Sequence, residues 1–134
     1  MLLPAASHAA CAGRVAPRNV AGAVAPADQA YVEMIAGKAA LFAVACELGA
    51  LVAGAPVERT QAYARLGRTS GMALQIESHV QSDPKSRSWA LPAVATLATA
   101  RAYLAEGDAL ASAAGIDASG RVRAFFARVL RPAA

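Results

Sequence analysis

Aromatic residues are scarce in this chain: its 134 residues hold three Phe, three Tyr and one Trp. Nowhere do aromatic and β-branched side chains alternate with period two, which excludes a sheet architecture. Cysteine is almost absent, and Cys11 and Cys46 offer neither metal-ligand spacing nor a disulfide framework. Cys46 lies in an apolar stretch where a reduced, buried thiol is the ordinary outcome, so a cytoplasmic location is expected. Long uncharged apolar runs are also lacking. The most apolar stretch, Lys38 to Gly54, contains Glu47 and is too short and too polar for a membrane span, so no span is expected and a helix buried among helices is. Met1 to Cys11 ends in Ala-Ala-Cys but has no positively charged start and no full apolar core, which reads against a secretion signal.

What is present is small and apolar. Hydrophobic residues make up 57% of the chain, very many of them alanine, a composition suited to tightly packed helices. The expected fold class is all-α. The formal charge of +4 comes from thirteen basic residues spread from Arg14 to Arg131. A nucleic-acid footprint gathers on one face; this dispersed set reads as a solvated surface, and no nucleic-acid partner is expected. The length suffices for one core and one domain.

Residues 1–27 are rich in Ala, Pro and Gly, and Pro4, Pro17 and Pro26 interrupt any regular element. They read as a disordered arm preceding a helical domain over 28–134. Asp28 is placed to cap a helix through Tyr31, Met34 and Ile35, with a kink or break at Gly37. Gly54 and Pro56 end the apolar stretch that follows. A helix from about Glu58 to Ser82 is stopped by Asp83-Pro84, and Gly67 and Gly71, four residues apart, let another helix approach closely. Pro92 suits the first turn of a helix running to Glu106 with Gly107 as its stop. A short helix near 108–114 and an amphipathic one over 120–130, carrying Val122, Phe125, Phe126 and Val129, complete about five helices. Glu47 is expected to pair with a basic residue of another helix.

The run Tyr31-Val32-Glu33-Met34-Ile35-Ala36-Gly37-Lys38, then Ala40-Leu41-Phe42, Ala45-Cys46-Glu47-Leu48-Gly49-Ala50 and Gly67 to Ile76, resembles the second half of trans-isoprenyl diphosphate synthases, the polyprenyl synthetase family. The resemblance covers about residues 28–130. It implies part of an isoprenoid-synthase-type helical bundle, and nothing upstream of Tyr31 matches the family's front half or its first aspartate cluster. It also implies a second aspartate-rich motif, whose three aspartate positions hold Ser78, His79 and Ser82 here.

In that family, magnesium neutralises the departing diphosphate, a task for carboxylate oxygens. Gln75, Ser78 or His79, and Ser82 share one helical face, so the family's geometry is kept while its charge is gone. Serine is a weak neutral ligand, and histidine prefers softer metals. Glu77 and Asp83 cannot compensate on a regular helix, where six residues turn about 240°. The resemblance assigns diphosphate binding to Lys38 and Gln75. Yet Ala39 replaces the family's threonine, and Arg87, Ser88 and Ala90 replace the glycine, lysine and threonine preceding Leu91-Pro92. Read without the family, Lys38 snorkels to water, Gln75 bonds a neighbouring backbone, and His79 is a neutral side chain facing solvent.

Three functional expectations follow. The chain is a polyprenyl-synthase-like protein, inactive alone, serving as a non-catalytic subunit or standing as a truncated remnant. Alternatively, it is a prenyltransferase active with a partner chain that supplies the missing ligands. A third reading is a module binding a prenyl diphosphate or another lipid. Magnesium is implied by the family and no cofactor by this chain alone. The expected partners are a second copy or a full-length prenyl synthase, because half a bundle exposes apolar faces.

Overall fold

The computed structural model describes residues 26–86 and 89–129. The arm expected over 1–27 falls outside them apart from Pro26 and Ala27, which already belong to a helix. Among the described residues four α-helices follow one another: α1 (Pro26–Val52), α2 (Val57–Gln81), α3 (Leu97–Ala114) and α4 (Arg121–Val129), with a 3-10 turn at Pro84–Ser86. The described residues are all-α and contain no strand.

α2 is the central element, packing against α1 on one side and α3 on another and touching α4. From Leu66 to Ala73 it is buried at every position, and the two glycines in this stretch bring α1 close. A Cβ on Gly71 would stand 2.8 Å from Cδ2 of Phe42 and 3.2 Å from the Ala39 backbone, and one on Gly67 2.8 Å from Sγ of Cys46. The expected close approach at these two glycines is therefore realised between α1 and α2. Around the seam Tyr31, Val32, Ile35, Met72, Ile76, Val94 and Tyr103 form the larger core cluster. Val32, Ile35, Met72 and Ile76 are fully buried, and each contributes about 2 kcal/mol. A second cluster joins Ala62, Leu66, Ala111 and Ile116 at the other end.

The stop at Gly54 is as expected: φ is +80°, and the amide of Ala55 donates to the Ala50 carbonyl at 3.0 Å, closing the last turn of α1. Other local signals were overruled. α1 passes Gly37 without a break. Asp28 is not a cap but a buried residue within the first turn, and its Oδ1 accepts the amide of Val94 at 3.0 Å. That bond ties the segment after Pro92 beneath α1, where Val94 and Ala95 are buried. Pro92 therefore sits in a turn closed by the Ala95 amide on its carbonyl, 3.0 Å, and α3 starts later. Thr96 is its cap, with Oγ1 accepting from the Thr99 amide at 3.1 Å. Gly107 does not stop α3 either. It is buried at the α2 contact, where a Cβ would meet Oγ1 of Thr69 at 3.1 Å, so the two helices expected up to residue 114 are one.

Candidate functional site

The C-terminal half of α2 carries the residues singled out by sequence apart from Lys38, which lies on α1, and the fold gathers only one of them into a built environment. His79 is half-buried between α1 and the segment after the 3-10 turn. Its Nδ1 lies 2.9 Å from the Tyr31 hydroxyl. The ring stands edge-on to Tyr31 at 5.7 Å and to Trp89 at 5.5 Å between centroids, and Tyr31 and Trp89 are themselves 6.1 Å apart. Aromatic edge contacts of this kind add to burial. The expectation of a solvent-facing His79 is thus corrected, because Tyr31, 48 residues away in sequence, folds against it.

The remaining positions stay apart. Ser82 Oγ donates to the His79 carbonyl at 2.8 Å, a helix-ending bond, and Ser78 is exposed. Gln75 is half-buried and Lys38 exposed. Glu77 accepts from Gln81 Nε2 at 2.9 Å, and Asp83 lies beyond the helix, its Oδ1 accepting the Lys85 amide at 2.9 Å. No group of three or more His, Cys, Asp or Glu among the described residues is placed to hold a metal. The serine and imidazole donors here do not fit magnesium, which takes oxygen ligands and in such sites carboxylates. Of the segment matched to the family's second diphosphate contact, Arg87 and Ser88 lie outside the described residues, Ala90 is exposed, and Leu91 and Pro92 are half-buried. Glu47 is half-buried on α1 and, contrary to expectation, forms no ion pair among the described residues.

A groove opens at the opposite end. α1, α2 and α4 leave a groove of about 810 Å³ whose walls include Phe42, Cys46, Tyr63, Val122 and Phe126, with Arg59 and Arg121 also lining it. Both arginines are exposed, and Arg59 Nη1 donates to the Gly115 carbonyl at 3.2 Å. Between Phe42 and Gly54 the wall includes Ala45, Gly49, Ala50 and Ala53, too small to fill the space. Burial, and then the negative charge of Asp117, pushes the Cys46 thiol above its ordinary pKa, so it is a poor nucleophile at neutral pH. Nothing in composition announced this groove, although small residues every four positions from Ala45 to Ala53 together with the Phe125–Phe126 pair were the available signal.

One side of the groove depends on Asp117. This buried residue takes φ +52°, a conformation aspartate tolerates better than most residues. Its carboxylate accepts the amides of Val122 and Arg123, each at 3.1 Å, and Nε of Arg123 at 3.0 Å. Its own amide donates to the Tyr63 hydroxyl at 3.0 Å. Burial alone would raise its pKa, but these three hydrogen bonds and the Arg123 charge outweigh it and hold the carboxyl below the usual aspartate value. Asp117 thereby caps α4 and fixes Phe126 over the groove. Compared with known proteins, the chain matches no family model, no curated protein and no solved structure.

Proposed function

We propose that this chain is a polyprenyl-synthase-like helical protein of isoprenoid metabolism that does not transfer prenyl groups on its own and acts as a non-catalytic subunit. The observation that carries the reading is the donor set at the end of α2. Ser78, His79 and Ser82 bring no carboxylate to the face where the resemblance places metal ligands, and the His79 ring is engaged with Tyr31 and Trp89. Without a bound cation the electrostatic stabilisation of a leaving diphosphate is lost, usually the largest single contribution to such catalysis. The test is a prenyl transfer assay on the purified, folded chain with an allylic diphosphate, labelled isopentenyl diphosphate and magnesium. No product is expected. Product from the chain alone would sink the reading, and product only beside a synthase chain would favour an enzyme completed by its partner.

A second reading is a binding module for a long-chain anion, and the groove favours it. Its walls offer an apolar tail the environment of a lipid pocket, and Arg59 and Arg121 would meet an anionic head. Lys38 and Gln75 do not line it. Titration with a fluorescent long-chain fatty acid and with a prenyl diphosphate should show saturable binding. Arg121→Ala should weaken it about tenfold, the scale of a charge-assisted hydrogen bond, while Lys38→Ala leaves it unchanged. Equal weakening by both substitutions would place the ligand elsewhere.

A further inference from the structure

Only one face of α1 is covered. Ile35, Ala36, Ala39, Ala43 and Ala50 are buried, whereas Met34, Leu41 and Leu48, at intervals of seven residues, are exposed to 42%, 73% and 54%. Taking these three as position a of a heptad puts Gly37, Val44 and Leu51 at d. Of the eight buried residues of α1, seven (Asp28, Val32, Ile35, Ala36, Ala39, Ala43 and Ala50) then fall at b, c and f, the side turned away from an a/d seam, and Tyr31 falls at e. The bare stripe is therefore opposite the packed one. An apolar repeat of seven is the pattern that winds two helices around each other. At d, Gly37 allows a close approach, while half-buried Val44 and exposed Leu51 supply apolar side chains to the seam.

The flanks carry complementary charge. Glu33 occupies g and Lys38 e, both exposed, and Glu33 Oε1 accepts the side-chain amide of Gln29 at 2.8 Å. In a parallel pair, g of one helix faces the following e of the other, which sets Glu33 beside Lys38 of a second copy, twice over by symmetry. An antiparallel pair sets g against g and brings Glu33 and Glu47 into repulsion. We propose that α1 pairs in parallel with the α1 of a second copy, burying Met34, Leu41, Leu48 and Leu51 and forming two Glu33–Lys38 ion pairs across the two-fold axis. This names the partner for the subunit role and rests on that reading.

α1 is also long and apolar enough, by length and composition, to cross a membrane, so the experiment has a lipid arm. Sedimentation velocity of the full chain at micromolar concentration should give a dimer. Leu41→Glu, at an exposed position and folded by circular dichroism, should be monomeric. Glu33→Lys should weaken the dimer about tenfold through two lost pairs and two new repulsions, and Glu33→Lys with Lys38→Glu should restore it. With Cys11 and Cys46 replaced by alanine, Leu51→Cys should cross-link to its own copy on oxidation, as only a parallel pair allows that far from the middle of the helix. A monomeric parent, a dimer indifferent to Leu41→Glu, a charge exchange without rescue, or a monomer that co-sediments with phosphatidylcholine vesicles would each overturn the pairing. A monomer without prenyl transfer activity would sink the pairing and leave the non-catalytic reading standing, whereas activity in the chain alone would sink that reading whatever its oligomeric state.

Discussion

The two ends of the α1–α2 pair use the same seam and finish differently. At the Tyr31 end, three rings from separate segments close over one another, and Asp28 draws Val94 into the core. At the Phe42 end, Ala45, Gly49 and Ala53 face α4 across an open groove. Small residues let α1 and α2 come together, but they fill space only where a backbone reaches them. α3 reaches the first end, bringing Ala100 and Tyr103 into the core cluster, and farther on packs Ala111 against Ala62 and Leu66 of α2. At the second end α4, nine residues long, is held by a few anchors and leaves volume uncovered. Close packing and cavity thus come from the same alanine-rich composition, separated by what lies opposite.

That contrast can be broken from the groove side first. Phe126 is 3% exposed and meets Phe42 edge-on at 5.6 Å. Phe126→Ala should cost about 3 kcal/mol, measured by urea unfolding, with loss concentrated in exchange protection of α4. A global loss that also exposes the Tyr31 end would mean the two ends are one cooperative unit.

Asp117→Ala comes next, at about 2 kcal/mol, since it removes a cap and the Arg123 pair together. Because the folded carboxyl has a lowered pKa, Asp117 contributes its full stabilisation above the ordinary aspartate value near 4 and loses it as pH falls through the lower folded value. The parent should therefore lose the Asp117 contribution on acidification, and the melting temperatures of parent and variant should converge at low pH. A constant gap down to about pH 2 would show that the carboxylate charge is not what holds α4.

The smallest effect belongs to the closed end. Tyr31→Phe keeps the ring and removes the hydroxyl facing Nδ1 of His79, and should cost about 1 kcal/mol by the same unfolding measurement. A neutral result would leave ring packing alone as the role of Tyr31.

Helix type, most helix ends and the glycine contact were legible in the chain itself. Gly54-Ala55-Pro56 and Asp83-Pro84 end helices through their own backbone conformations, and Gly67 and Gly71 are spaced for a neighbour because one helical turn separates them. The heptad stripe on α1 is equally a property of sequence. What misled were residues with two uses. Gly107 reads as a stop yet serves a helix contact, and Pro92 reads as a helix start yet sits in a turn that Asp28 anchors. For the candidate sites, shared helical phase placed Ser78, His79 and Ser82 near one another but did not reveal that His79 meets Tyr31 and Trp89.

The chain by itself determined an all-α fold, the α1–α2 seam and the absence of carboxylates at positions 78, 79 and 82, because propensity, backbone freedom and residue chemistry act within a few residues. Only the tertiary structure decided which face of α1 stays bare, where α3 begins, that Asp117 ties α4 in place, and that the open volume lies by Phe42 and Arg121 rather than by Lys38. Each of these depends on contacts between segments distant along the chain, whose free energy exists only once the helices have packed.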